Sequence, residues 1–185
     1  MCEKYDRKIN AYMRCSIKSL PNTVVIHLKR FEFDYNTMLR NKMNDYFEFP
    51  HTLNLKPWSK QFLDEEQGLE TTSHENSYYE YRLVGVLVHS GIADAGHYYS
   101  YINQRDTNDW YEFNDTRVLK FNLANLKDEC FGGTTMYGDY SNWTGKAYEK
   151  TRNAYLLFYE RIEPIDVEDD TPQEPPESTE EVTFK

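Results

Sequence analysis

The 185-residue sequence lacks any run of about 18 apolar residues, the minimum for a helix that spans a bilayer, so no membrane contact is expected. It does not open with a charged stretch followed by an apolar one, as a secretory signal would. Cysteine is scarce: three residues, widely spaced, which excludes a disulfide scaffold and fits a reducing compartment. The expected location is therefore cytoplasmic, with the nucleus as alternative. Positive charge is also short. Lys and Arg total 21 against 31 Asp and Glu, a net charge of −10, which argues against phosphate-driven nucleic-acid binding. Neither a serine elbow of the G-x-S-x-G type nor a glycine-rich phosphate loop occurs. What the chain has in quantity is aromatic surface to bury. Its 16 Tyr, 10 Phe and 3 Trp rule out disorder along the whole length.

The negative charge is concentrated at one end. Residues 164–185 hold Asp166, Glu168, Asp169, Asp170, Glu174, Glu177, Glu180 and Glu181 against Lys185 alone, with four prolines, and read as a disordered acidic tail. A second polar stretch, 59–77, reads as a long surface loop. Between them the signals are mostly for strands: TVVIHLKRFEF (23–33), DYFEFP (45–50), YEYRLVGVLVHS (79–90), HYYSYIN (97–103), WYEFN (110–114) and AYLLFYERI (154–162). In the first, Val24, Ile26 and Leu28 face one way. Helix evidence is confined to FNLANLKDECFGG, with Asn122 as N-cap, Leu123, Leu126 and Cys130 on one face, and Gly132-Gly133 as the stop. The expected fold is mostly antiparallel β with one or two short helices.

The stretch that bears chemistry is 89–115, HSGIADAGHYYSYINQRDTNDWYEFND. A hairpin about the polar turn 104–108 that pairs Tyr101 with Trp110 sets Tyr99 opposite Glu112 and His97 opposite Asn114. Directly opposed residues have Cβ atoms roughly 4.5–5.5 Å apart, close enough for a His–Asn hydrogen bond. The Asn oxygen then fixes the tautomer and leaves the other ring nitrogen free to take a proton, the base-and-orienter half of a catalytic triad. A slip of one residue would put the two side chains on opposite faces. Asp115 is an alternative orienter or a support for the oxyanion region. Ala95 and Gly96 are small enough to let a substrate backbone pass near the imidazole, and Tyr98 would wall such a channel. The competing reading is an aromatic hairpin whose half-buried His is merely bonded to Asn.

AGHYYSYI followed by WYEFND resembles the His box of the ubiquitin-specific proteases, papain-like cysteine hydrolases that remove ubiquitin. LPNTVVIHLKRFEFD resembles that family's strand after the fingers region, and NAYLLFYER its closing strand. YRLVGVLVHSG, DYFEFP and ECFGG resemble the large fat facets-type members in particular. Together these segments keep the family's order over residues 2–161. The resemblance implies an α+β, papain-like cysteine proteinase fold of hand-like architecture. Residues 1–163 would be the C-terminal part of the catalytic domain: 1–16 the end of the fingers and 17–163 a palm of antiparallel β. It further implies His97 as general base, Asn114 as orienter with Asp115 in support, Gly96 and Tyr98 on the substrate channel, and ubiquitin and ubiquitinated proteins as partners. No cofactor is implied.

Two departures from the family pattern stand out. The G-x-x-N-x-G-x-x-C type box that carries the nucleophile does not occur, so the chain is expected to lack the helical thumb and to be inactive alone. It would then be either the His-box half of a deubiquitinase or an inactive ubiquitin-binding fragment. No cysteine present is a good substitute: Cys2 and Cys15 precede the first palm strand, and Cys130 falls near a helix C-terminus, the wrong end for a thiolate. The second departure concerns zinc. Cys2 sits where the family often has a second C-x-x-C pair, but Tyr5 replaces its partner, and tetrahedral zinc needs four ligands. No metal is expected.

Overall fold

The computed structural model describes residues 14–71, 74–137 and 146–165. Chain order gives β1 (Thr23–His27), β2 (Phe31–Asp34), β3 (Leu39–Lys42), β4 (Thr52–Asn54), α1 (Lys60–Glu66), β5 (Glu80–Gly91), β6 (Gly96–Gln104), β7 (Asp109–Asn114), β8 (Arg117–Phe121), α2 (Leu126–Cys130), β9 (Thr134–Tyr137), β10 (Lys146–Glu149) and β11 (Arg152–Arg161). Seven of the strands form one antiparallel sheet in the order β1-β11-β5-β6-β7-β8, with β4 paired to the start of β5. The pairs β2–β3 and β9–β10 are separate ribbons.

The longest apolar run, 83–89, is the central strand, and the reason is visible in its neighbours. β11 takes one edge of β5 and β6 the other, and successive residues Leu83 and Val84, then Val88 and His89, are buried, so both faces are covered here and the stretch needs no polar alternation. On one face Val86, Val88, Tyr99, Tyr101, Trp110, Leu157 and Tyr159 pack together with Leu126 and Cys130 of α2 into the core. The Asn122 side chain caps the short helical segment by accepting from the Ala124 N–H, as its position before Leu123 foretells. Val24, Ile26 and Leu28 all pack on this core.

Three sequence expectations need correction. The stretch 23–33 is two strands rather than one. Arg30 turns into the interior and donates to the carbonyls of Ala154, Met43 and Asp45, where the chain leaves the β1–β11 ladder and before it enters the β2–β3 ribbon. Residues 45–50 are not a strand. Their backbone partners come from elsewhere: the Asp45 carbonyl from Arg30, and the Phe47 N–H from the Phe131 carbonyl. The stretch 59–77 is not all loop: Ser59 accepts from the Phe62 N–H and starts α1, which buries Leu63. One apolar face position in seven residues is too weak a periodic signal to read against so polar a background. The acidic tail expected from 164 is held at its start: the Ile165 N–H donates to Asn22 Oδ1 at 3.0 Å and the Ile165 side chain packs on the core, while 166–185, residues 1–13 and the Cys2–Tyr5 pattern lie outside the described residues.

A buried cation closes the end of the sheet opposite the β5–β6 turn. Arg161, only 2% exposed, donates to the carbonyls of Tyr78 and Leu20. Its guanidinium lies over the Tyr78 ring at 4.0 Å. Truncating it would remove the donors that it gives those carbonyls. Arg161→Ala is therefore expected to lower stability by about 3 kcal/mol. A urea denaturation curve checks this, and a midpoint unchanged from the parent protein would contradict it.

Candidate active site

His97 stands second in β6 and Asn114 last in β7, and the structure brings their side chains together: His97 Nε2 lies 2.7 Å from Asn114 Oδ1. They do not face each other as the expected register has it. The observed ladder pairs Asn103 with Trp110 and Tyr101 with Glu112, two residues away from the expected pairing. Gln104 pairs with Asp109, so the connection is a four-residue turn, and Asn108 takes the left-handed conformation there at φ 57°. A two-residue turn would need two such residues in a stretch, Arg105–Asn108, that has no glycine. Asn108 tolerates the conformation, and Asn103 Nδ2 donates to its Oδ1 at 3.0 Å. Because the shift is two residues and not one, every side chain stays on its expected face. His97 reaches Asn114 along the diagonal of the ladder.

The tautomer follows from the partners. Asn114 Nδ2 donates to Glu112 Oε1 at 3.2 Å, which points the amide oxygen at the imidazole. That oxygen only accepts, so Nε2 carries the proton and donates it. Nδ1 is then the free base. Asp115 adds a carboxylate 3.8 Å from Nε2. It takes φ 51° in the two-residue turn between Asn114 and Arg117, a conformation Asp tolerates better than most residues. Glu112 is the residue that the sequence did not single out for this role. Its only sign there was its alternation with Asn114 on one strand face.

Gly96 and Tyr98 both line a cleft of about 420 Å³, together with Phe31, Phe33, Arg40 and His89. The space at Gly96 serves a neighbour inside the fold. A Cβ there would lie 2.1 Å from His89 Nε2, so the glycine is what lets the buried His89 ring stand over the strand. Burial and the Lys42 ammonium hold the His89 pKa below the usual imidazole value, which keeps the ring neutral. A bulge at Tyr155 in β11 adds another aromatic ring beside Phe31 and Tyr98.

Neither described cysteine is placed to attack with His97 as base. Cys130 is fully buried and desolvation pushes its thiol well above the ordinary range. Cys15 is exposed and lies two residues before Ile17, which bonds to Trp58 and Lys60 near the start of β5. His97 pairs with Ser90 at the other end of that strand, on the order of 30 Å away at the rise of an extended chain. Among the described residues no three His, Cys, Asp or Glu side chains cluster as metal ligands would.

Comparison with known proteins shows the family. Residues 1–159 match the family described as "Ubiquitin carboxyl-terminal hydrolase". The chain belongs to that family. It is 38% identical over 180 residues to human ubiquitin carboxyl-terminal hydrolase 34, covering 88% of this chain and 5% of that protein. Over 194 residues it is 38% identical to human ubiquitin carboxyl-terminal hydrolase 9Y, covering 91% of this chain and 8% of that protein. The FAF protein of Drosophila melanogaster is 36% identical over 183 residues, covering 90% of this chain and 7% of its own length. Among solved structures, the SAGA Ubp8/Sgf11/Sus1/Sgf73 DUB module bound to ubiquitin aldehyde aligns at a TM-score of 0.55 and 25% identity, covering 81% of this chain and 26% of that chain. The papain-like α+β assignment therefore stands, in its antiparallel β part. The chain spans less than a tenth of the length of each of these three curated relatives.

The pair makes a spectroscopic prediction. Nitrogen-15 shifts of His97 should show Nδ1 unprotonated and Nε2 protonated at alkaline pH. In Asn114→Ala the two signals should move toward a tautomer mixture. Equal shifts in the two proteins would mean that Asn114 does not set the tautomer.

Proposed function

We propose that this chain supplies the general base and its orienter to a thiol-dependent ubiquitin hydrolase, one that cleaves after the C-terminal glycine of ubiquitin. The observation that carries the reading is the Glu112–Asn114–His97 chain of hydrogen bonds, which leaves Nδ1 of an exposed imidazole free. In the reaction, His97 Nδ1 takes the thiol proton as the cysteine sulfur attacks the glycine carbonyl. It then gives that proton to the departing amine as the tetrahedral adduct collapses to a thioester. Water next attacks the thioester with Nδ1 again as base, the thiol leaves, and the proton returns to it. The Asn114 oxygen stabilises the imidazolium at each stage, and the Asp115 carboxylate adds attraction for the charged form.

The nucleophile comes from the family's cysteine segment and not from Cys130 or Cys15. The cleft lined by Phe31, Phe33, Gly96 and Tyr98 receives the extended ubiquitin tail, with ubiquitinated proteins as the source. The place of action is a reducing compartment, the cytoplasm or nucleus, as the sparse cysteines suggest.

As its sequence does not contain the family's cysteine box, the chain binds and does not cut. Titration with fluorescent ubiquitin should saturate, and removing the C-terminal tail of ubiquitin should weaken binding by about tenfold or more. Equal affinity for tailed and tailless ubiquitin would reject the cleft as the tail site. Absence of any binding would reject ubiquitin recognition by this chain.

A further inference from the structure

His97 follows a turn with little of its own to hold it. Gly91 sits at φ 119°, where a Cβ would lie 2.6 Å from the Ala95 carbonyl oxygen. Gly96 is equally closed to any side chain by His89. The turn has one cross-bond, from the Ile92 N–H to the Ala95 carbonyl at 2.9 Å, and Ile92 itself is 60% exposed. Beyond the Arg152–Ser90 pair, β11 gives β5 no further ladder partner.

At this point a side chain from another ribbon reaches in. Lys42, the last residue of β3, places Nζ 3.0 Å from the His89 carbonyl, 3.3 Å from the Gly91 carbonyl and 2.5 Å from the Thr151 carbonyl. The Thr151 oxygen also accepts from the Gly91 N–H at 3.0 Å. An ammonium has three protons, and all three find an acceptor here. Two of the acceptors are the final carbonyls of β5 on either side of Ser90, which pairs with His97.

We propose that Lys42 is a positioning residue for His97: its ammonium clasps the end of β5 to the Thr151 strand entry and thereby fixes the turn from which the imidazole projects. The inference deepens the reading of His97 as base and rests on it for its functional meaning. The clasp itself is a statement about geometry and is tested as one. The charged and titratable groups around Nζ are the Arg30 guanidinium between β1 and β2, the Glu149 carboxylate on β10 and the His89 imidazole on β5. Desolvation, reinforced by Arg30 and opposed by Glu149, brings the Lys42 pKa down to about 8. The clasp is thus charged near neutral pH and loses a donor proton as the pH rises past that value.

The test compares the parent chain with Lys42→Met, which keeps length and removes the donors, and Lys42→Arg, which keeps charge and donors. Amide hydrogen exchange is read residue by residue. In Lys42→Met, exchange over Gly91–Gly96 should quicken by about tenfold or more while core amides such as Tyr101 hold their protection. The His97 nitrogen-15 signals should broaden or shift. Lys42→Arg should restore part of the protection. Unchanged exchange in the turn, or equal acceleration at every amide, would overturn the proposal, since the second outcome marks a purely global effect. Should Lys42→Met fail to fold, Lys42→Gln, which shortens the side chain and withdraws the ammonium from the three carbonyls, takes its place, with the same local acceleration expected and unchanged turn exchange overturning the clasp. Failure of ubiquitin recognition would show in the titration instead and would leave these readouts untouched.

Discussion

Strand β5 is hydrogen-bonded along both edges, to β11 and to β6, and this double pairing sets where each residue of the site can stand. It fixes β6 against the core, and β6 in turn carries β7 in a register set by the four-residue turn. His97 and Asn114 belong to strands that never meet in sequence except through that turn. Their 2.7 Å contact is a product of the ladder, not of the local chain.

The site is built with the same economy of backbone that shapes the rest of the sheet's margins. Three cations satisfy carbonyls that the ladders leave over: Arg161 at one end of the sheet, Arg30 at the break between β1 and β2, and Lys42 at the turn before His97. Each lies where chain segments distant in sequence converge, so each ties tertiary contacts that no local propensity could hold. Burying a guanidinium or ammonium is unfavourable unless its protons find acceptors, and the acceptors that these three do find are main-chain oxygens rather than carboxylates.

The strands that pack the core were legible in the sequence because alternation and β-branching are strong signals: 79–90, 97–103, 110–114 and 154–162 all fall on β5, β6, β7 and β11. The His97–Asn114 pairing was legible too, although the register was two residues off, because the side-chain period of a strand forgives an even shift. What could not be read depends on long-range partners. The break at Leu28–Arg30 goes with the inward turn of the Arg30 guanidinium, and the 45–50 segment takes its backbone partners from Arg30 and Phe131. Helix α1 rests on a Ser59 cap and a single buried Leu63. Lys42 was invisible as a site residue because its partners are backbone carbonyls, which no sequence pattern marks, and Glu112 was marked only by its alternation with Asn114 on β7.

The central claim is that His97 is the proton carrier of a ubiquitin hydrolase. Its most direct test is the hydrolysis of a ubiquitin–fluorophore conjugate by this chain supplied with a cysteine segment of the family, compared with the same assembly bearing His97→Ala. The account predicts a loss of turnover on the order of 10³-fold with ubiquitin binding retained. Turnover within a few fold of the parent enzyme would contradict it.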